Sequence, residues 1–298
     1  MNPHRVYSSI YNQLTDIRPN VQLFPNLVTF VFHAKSLPNP HLRMFPSSLH
    51  SVTFSWANAV APEVEAVLWS SIMSRLLADA PLIEHIHFEG SPKEPLGALT
   101  LLPFQRLHRI TIKPSPLVPS VLHKYCHALS ASSVRELDLR LVRWPDSRLQ
   151  PLLPVFPSLR KLTIDGPPSH AIDFVRLLSS PMLQELAIVS QERGDDLLNQ
   201  YAALLALLAT KYHGVFRTLK IQHPLQCRDQ ADLESFLDAV RTLGEAGAVT
   251  LQMNLILGWQ DLTQEVQDMI EPSKWMVFKH FKITPRRASW GWGNVLFG

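Results

Sequence analysis

The chain has 298 residues, 46% hydrophobic and 18% charged, with 28 lysines and arginines against 25 aspartates and glutamates. That length and apolar content support one large or two ordinary folded domains and exclude a disordered chain. Scattered charge in near balance argues against a nucleic-acid or membrane-surface partner.

Residues 1–24 read as an N-terminal capping segment, 25–260 as an irregular repeat array, and 261–298 as a C-terminal cap or poorly ordered tail. In the array one apolar pattern recurs, an anchor residue followed by others at plus three and plus five. In chain order it is Leu27, Phe30, Phe32; Leu49, Val52, Phe54; Ile83, Ile86, Phe88; Leu107, Ile110, Ile112; Val134, Leu137, Leu139; Leu159, Leu162, Ile164; and Leu183, Leu186, Ile188. Weaker copies follow at Phe216, Leu219, Ile221 and at Ala248, Leu251, Met253. The last two members are two residues apart and share one face of a strand, while the anchor turns the chain into it. The residues between them are mostly polar, so one face is buried and the other is wet.

Between strands the period becomes helical, as in Val64, Val67, Leu68, Ile72 and Leu76, and in Phe174, Leu177 and Leu178. Further helices are expected over Val118 to Leu129, Asp196 to Tyr212 and Ala231 to Leu243, the last with Asp229 as N-cap. Clusters such as Pro114-Ser115-Pro116 and Gly166-Pro167-Pro168 punctuate the strand exits. The longest apolar stretch, Leu197 to Ala209, is broken by Asn199 and Gln200. It falls short of the roughly 20 residues of a membrane-spanning helix. The Trp275–Gly298 tail carries Phe278, Phe281 and Ile283 in the repeat spacing. Cys126 and Cys227 match no metal or redox spacing, and the N-terminus has no signal-like core. A cytoplasmic or nuclear location is expected.

The Leu-x-x-Leu-x-Leu-like segments resemble leucine-rich repeats of the ribonuclease-inhibitor-like type. That resemblance implies an α/β solenoid, a horseshoe with a parallel concave sheet and convex helices. The family's loop asparagine or cysteine is missing; Lys35, Ala57, Ser91, Ser115, Val142, Pro167, Gln191 and Pro224 stand at the matching positions. The opening run from Val6 to Leu14, with Arg18-Pro19 and Leu23-Phe24-Pro25-Asn26-Leu27, is similar to the segment that opens the repeat domain of fungal F-box proteins. The resemblance implies a protein-interaction module, the substrate-recognition part of a ubiquitin ligase receptor. No Leu-Pro-x-Glu-like F-box helix precedes Pro25, so a Skp-type adaptor is not expected to bind this chain.

On the wet face, Arg109, Glu136, Lys161 and Glu185 share the plus-two position, and Glu89, Lys113, Arg140 and Asp165 the plus-six position. With His85, His87 and Asp138 they form the candidate surface for another protein, or a self-satisfied set of cross-strand pairs. Trp56 and Trp144 follow strands and are read either as binding anchors on the loop rim or as core edge. His85, His87 and Glu89 alternate along one strand and offer a zinc-type ligand set, so a metal-dependent enzyme is the alternative reading. His123 and His127, with Cys126 between them, form a second such candidate. Nucleotide, nucleophile-elbow and zincin motifs are absent, so no catalytic residue and no cofactor are expected. A degenerate paralogue without function is the remaining alternative.

Overall fold

The computed structural model describes residues 5–7, 13, 25–33, 45–55, 72–89, 104–113, 132–141, 156–189, 196–258, 263–271, 275 and 278–285. The chain divides into two compact units, Met1–Leu159 with Leu177–Ser179, and Arg160–Arg176 with Ser180–Gly298. Unit 1 holds the strands β1 (Arg5–Tyr7), β2 (Thr29–His33), β3 (Ser51–Ser55), β4 (His85–Glu89), β5 (Arg109–Lys113) and β6 (Glu136–Arg140). Residues 72–79 form its described helix, α1. Each strand pairs in parallel with the one before it, as in Ser51↔His85 and His85↔Arg109.

Unit 2 begins with β7 (Lys161–Asp165), α2 (Pro168–Leu177), β8 (Glu185–Val189), α3 (Leu197–Lys211) and β9 (Thr218–Ile221). It continues with β10 (Leu225–Cys227), α4 (Gln230–Glu245), β11 (Thr250–Leu257), α5 (Gln264–Met269) and β12 (Lys279–Pro285). Thr250 to Gln252 of β11 pair with β9, and Leu255 to Leu257 pair with β10. β12 takes the opposite edge of β11, so β9 and β10 are two pieces of one strand position, interrupted at Gln222-His223-Pro224. Pro224 has no N–H to give to a ladder, which accounts for the break.

The anchors and strand triplets form the core. Val52, Ile86, Ile110, Leu162, Leu186 and Leu219 have no exposed surface, and the other triplet members from β2 to β9 are nearly as buried. In unit 1 the plus-five phenyls of Phe32, Phe54 and Phe88 follow one another at centroid spacings of 5.8 Å. In unit 2, α3 buries Leu198, Tyr201, Leu204, Leu205 and Leu208, which share one side of the helix. Asp229 caps α4 by accepting a bond from Asp232 N at 2.8 Å. Lys211 Nζ donates to the carbonyls of Val175 and Arg176 at 2.8 and 2.9 Å, closing the C-terminal end of α2 with a cation.

The expected leucine-rich-repeat horseshoe is corrected. In each unit the sheet is open and mostly parallel, neither closed nor curled, and flanked by helices in a Rossmann-like layering. The assignment to fungal F-box/leucine-rich-repeat proteins, and with it the ubiquitin ligase receptor, loses its structural basis. The physical reason lies in what the triplet encodes. Its spacing specifies a turn, a one-sided strand and a parallel neighbour, requirements shared by any parallel sheet under helices. Curling requires a regular rotation per repeat, whereas anchor spacing varies from Leu27–Leu49 to Leu49–Ile83 and the loop-binding asparagine is absent.

Removing the central phenyl of the unit 1 ladder, Phe54→Ala, is expected to lower stability by about 3–5 kcal/mol in urea denaturation. Lys211→Met, which keeps the stem and deletes the ammonium, is expected to cost about 1 kcal/mol in the same measurement.

Candidate functional site

Alternation along β3 to β6 sets the polar side chains of unit 1 in rows. Ser51, His85, Arg109 and Glu136 occupy one row, Thr53, His87, Thr111 and Asp138 the next, and Ser55, Glu89 and Lys113 the third. Arg140 closes β6, half a pleat beyond Leu139. Arg109 Nε lies 3.7 Å from Glu136 Oε2 and Lys113 Nζ 3.2 Å from Asp138 Oδ2. The first pair runs straight across the row and the second runs diagonally. Both stay partly solvated, so each contributes at most about 1 kcal/mol to stability.

The two imidazoles of β4 stack, with centroids 6.2 Å apart and planes 12° from parallel. His85 Nε2 is 3.0 Å from Thr111 Oγ1, and its Nδ1 is 3.5 Å from Ser51 Oγ. Burial, then Arg109, His87 and His108, lower the His85 pKa to about 4. For His87 burial is the largest influence and also lowers the pKa, against the raising effect of Glu89 and Asp138. His87 Nε2 approaches Glu89 Oε1 at 3.8 Å and makes no hydrogen bond. With the ring held neutral, that approach is a ring–carboxylate contact rather than an ion pair.

The metal-site alternative on His85, His87 and Glu89 is corrected, because no group of three ligating residues able to hold a metal occurs among the described residues. Residues two apart on a strand point the same way but stand roughly 6.6 Å apart along it. Their side chains therefore run parallel instead of converging on bonds of about 2.0–2.2 Å. The hydroxyls of Thr111 and Ser51 occupy the space beside His85.

In unit 2 the wet face carries Lys161 and Glu185 in register, with Lys161 Nζ 3.6 Å from Glu185 Oε1. Lys220 of β9 donates to the same oxygen at 2.7 Å, so one carboxylate serves two lysines. Asp165 ends β7, half-buried. A cavity of about 380 Å³ lies at the carboxyl ends of β10 and β11, lined by Gln226, Cys227, Arg228, Ile256, Leu257 and Gly258. Burial first, then Asp232, pushes the Cys227 thiol up to about 12, and Sγ donates to Asp229 O. This is an unreactive thiol. Gly258 is required where it stands, because a Cβ there would lie 2.8 Å from Cys227 O.

Sequence reasoning placed the charged members of the rows, put Ser51 and Thr111 on the same face without a site role, and did not name Lys220. Thr111 shares the register of His87, and Lys220 stands two residues beyond Thr218, the residue opposite Glu185, so pairing register was the available signal. Trp56, Trp144, His123, Cys126 and His127 lie outside the described residues. No helix among the described residues is long and apolar enough to cross a membrane. No family model and no curated protein matches the chain.

A folded-state His85 pKa of about 4 against 6.5 unfolded means that the unfolded chain binds more protons between those values. His87 and His223 shift in the same direction. Stability is therefore expected to be complete above pH 6.5 and to fall as pH drops toward 4. Urea midpoints taken across this window should decline, and His85→Gln should flatten the decline.

Proposed function

We propose that this chain is a non-enzymatic polypeptide-binding protein whose contact surface is the polar face of β4, β5 and β6. The observation that carries this reading is two cross-strand ion pairs, Arg109–Glu136 in register and Lys113–Asp138 on the diagonal, standing partly exposed on one sheet face. Paired charges held by a scaffold discriminate among partners through complementary potential more than they add affinity. Glu89, His87 and Arg140 extend the same surface, and Lys161, Glu185 and Asp165 form its counterpart on unit 2. The histidines fit contact roles better than proton transfer. A general base works best with a pKa near the operating pH, and His85 lies at about 4.

The test is selection of a random peptide library on the purified chain, with the selected peptides mapped by hydrogen exchange. Protection is expected on β4 to β6. Lys113→Glu, which places a carboxylate against Asp138, should weaken the selected peptides about tenfold, or about 1.4 kcal/mol. Peptides that protect only helices, or that bind Lys113→Glu as well as the natural chain, would refute the reading.

A further inference from the structure

Within each unit the residues after the anchors stand in a row of their own, at the amino end of the strands. In sequence order these residues are Val28, His50, Glu84, His108, Arg135, Arg160, Gln184, Arg217 and Val249. They include arginine or histidine at His50, His108, Arg135, Arg160 and Arg217, and an acid only at Glu84, in a chain whose total charge is nearly balanced. In unit 1 the row is continuous: Glu84 N bonds His50 O, His108 N bonds Glu84 O, and Arg135 N bonds His108 O. These side chains therefore stand at the inter-strand spacing of roughly 4.8 Å. Arg106 stands in the turn before β5, and its backbone carbonyl lies beside the row, 3.1 Å from His108 Nδ1. His50 repeats the arrangement with Ser48 O at 2.6 Å. A carbonyl only accepts, so both rings carry the proton on Nδ1 and leave Nε2 for another partner.

Along β4 to β6 and on α1 the other cations are engaged internally. Arg75 faces Asp79, Arg109 faces Glu136, Lys113 faces Asp138, and Arg140 has a partner of its own. Arg106 and Arg135 are exposed, and no described residue pairs with either guanidinium. With Glu84 as the one acid of the row, the two exposed guanidiniums leave an excess of positive charge that favours an anion from outside.

We infer that the amino-end rim of the unit 1 sheet, formed by His50, Arg106, His108 and Arg135, docks an acidic polypeptide segment. The inference goes beyond the polar-face reading, since it names a separate strip and the chemistry of what lies on it. The strip is short and interrupted by Glu84, which suits a few spaced carboxylates. A nucleic-acid backbone would require a longer run of cations.

The test is fluorescence anisotropy of the full chain with labelled octaglutamate, at low and raised salt, against a short labelled single-stranded oligonucleotide. Octaglutamate is expected to bind, to weaken as salt rises, and to lose at least about fivefold in affinity to R106Q/R135Q. Arg75→Gln, which removes a cation already paired in the same unit, should leave binding unchanged. Absence of binding, equal binding to R106Q/R135Q, an equal loss with Arg75→Gln, or tighter binding of the oligonucleotide would each overturn the inference. The polar-face reading is judged separately, by Lys113→Glu, which leaves the rim intact.

Discussion

One carbonyl per strand, that of the residue after the anchor, accepts two backbone N–H groups from the next strand. In unit 1, His50 O takes Glu84 N and His85 N at 2.8 and 3.0 Å, and His108 O takes Arg135 N and Glu136 N at 2.8 and 2.9 Å. In unit 2, Gln184 O takes Arg217 N and Thr218 N at 2.9 and 3.0 Å. Both lone pairs of the oxygen are used, so the next strand begins at one height only. Register is thereby independent of connection length. Thirty-four residues separate Leu49 from Ile83, and Ser51 still meets His85 across the strands. A one-residue slip would turn every inward side chain outward, and burial of the triplets opposes it a second time.

The site follows from that constraint. Because offsets are preserved, chemically similar residues fall into rows, and a row of charges on a stiff sheet acts as a fixed pattern. Arg109–Glu136 and Lys161–Glu185 belong to such rows, and Glu185 also holds Lys220. Thr53 and Thr111 are the buried members of their polar row in unit 1, and the Thr111 hydroxyl meets the His85 ring. The unit 2 sheet also manages its edge. β12 meets β11 through a register irregularity between Thr250 and Met253 and ends at Pro285, two features that discourage a further strand from adding.

Much of the local structure was legible. The expected helix over Asp196 to Tyr212 is α3, Leu197–Lys211, with those two residues as its caps, and Asp229 caps α4 as its side chain permits. Every triplet from Leu27 onward marks a strand, because alternation between a wet and a dry face leaves a period in the sequence. The open, uncurled sheet was not legible, since Ile110 and Ile112 look alike in any parallel sheet. Nor was the diagonal contact of Lys113 with Asp138, which depends on side-chain reach. The alternative of a metal held by His85, His87 and Glu89 would have required a shared strand face to be a shared point.

By itself the sequence determined where strands and helices form, which faces are apolar and which residues carry charge, since these depend on neighbours a few positions away. Tertiary structure decided the open sheet, the partners of Glu185 and Asp138, and the neutrality of His85. Each of these depends on the distance and burial of groups tens of residues apart, which no local period records.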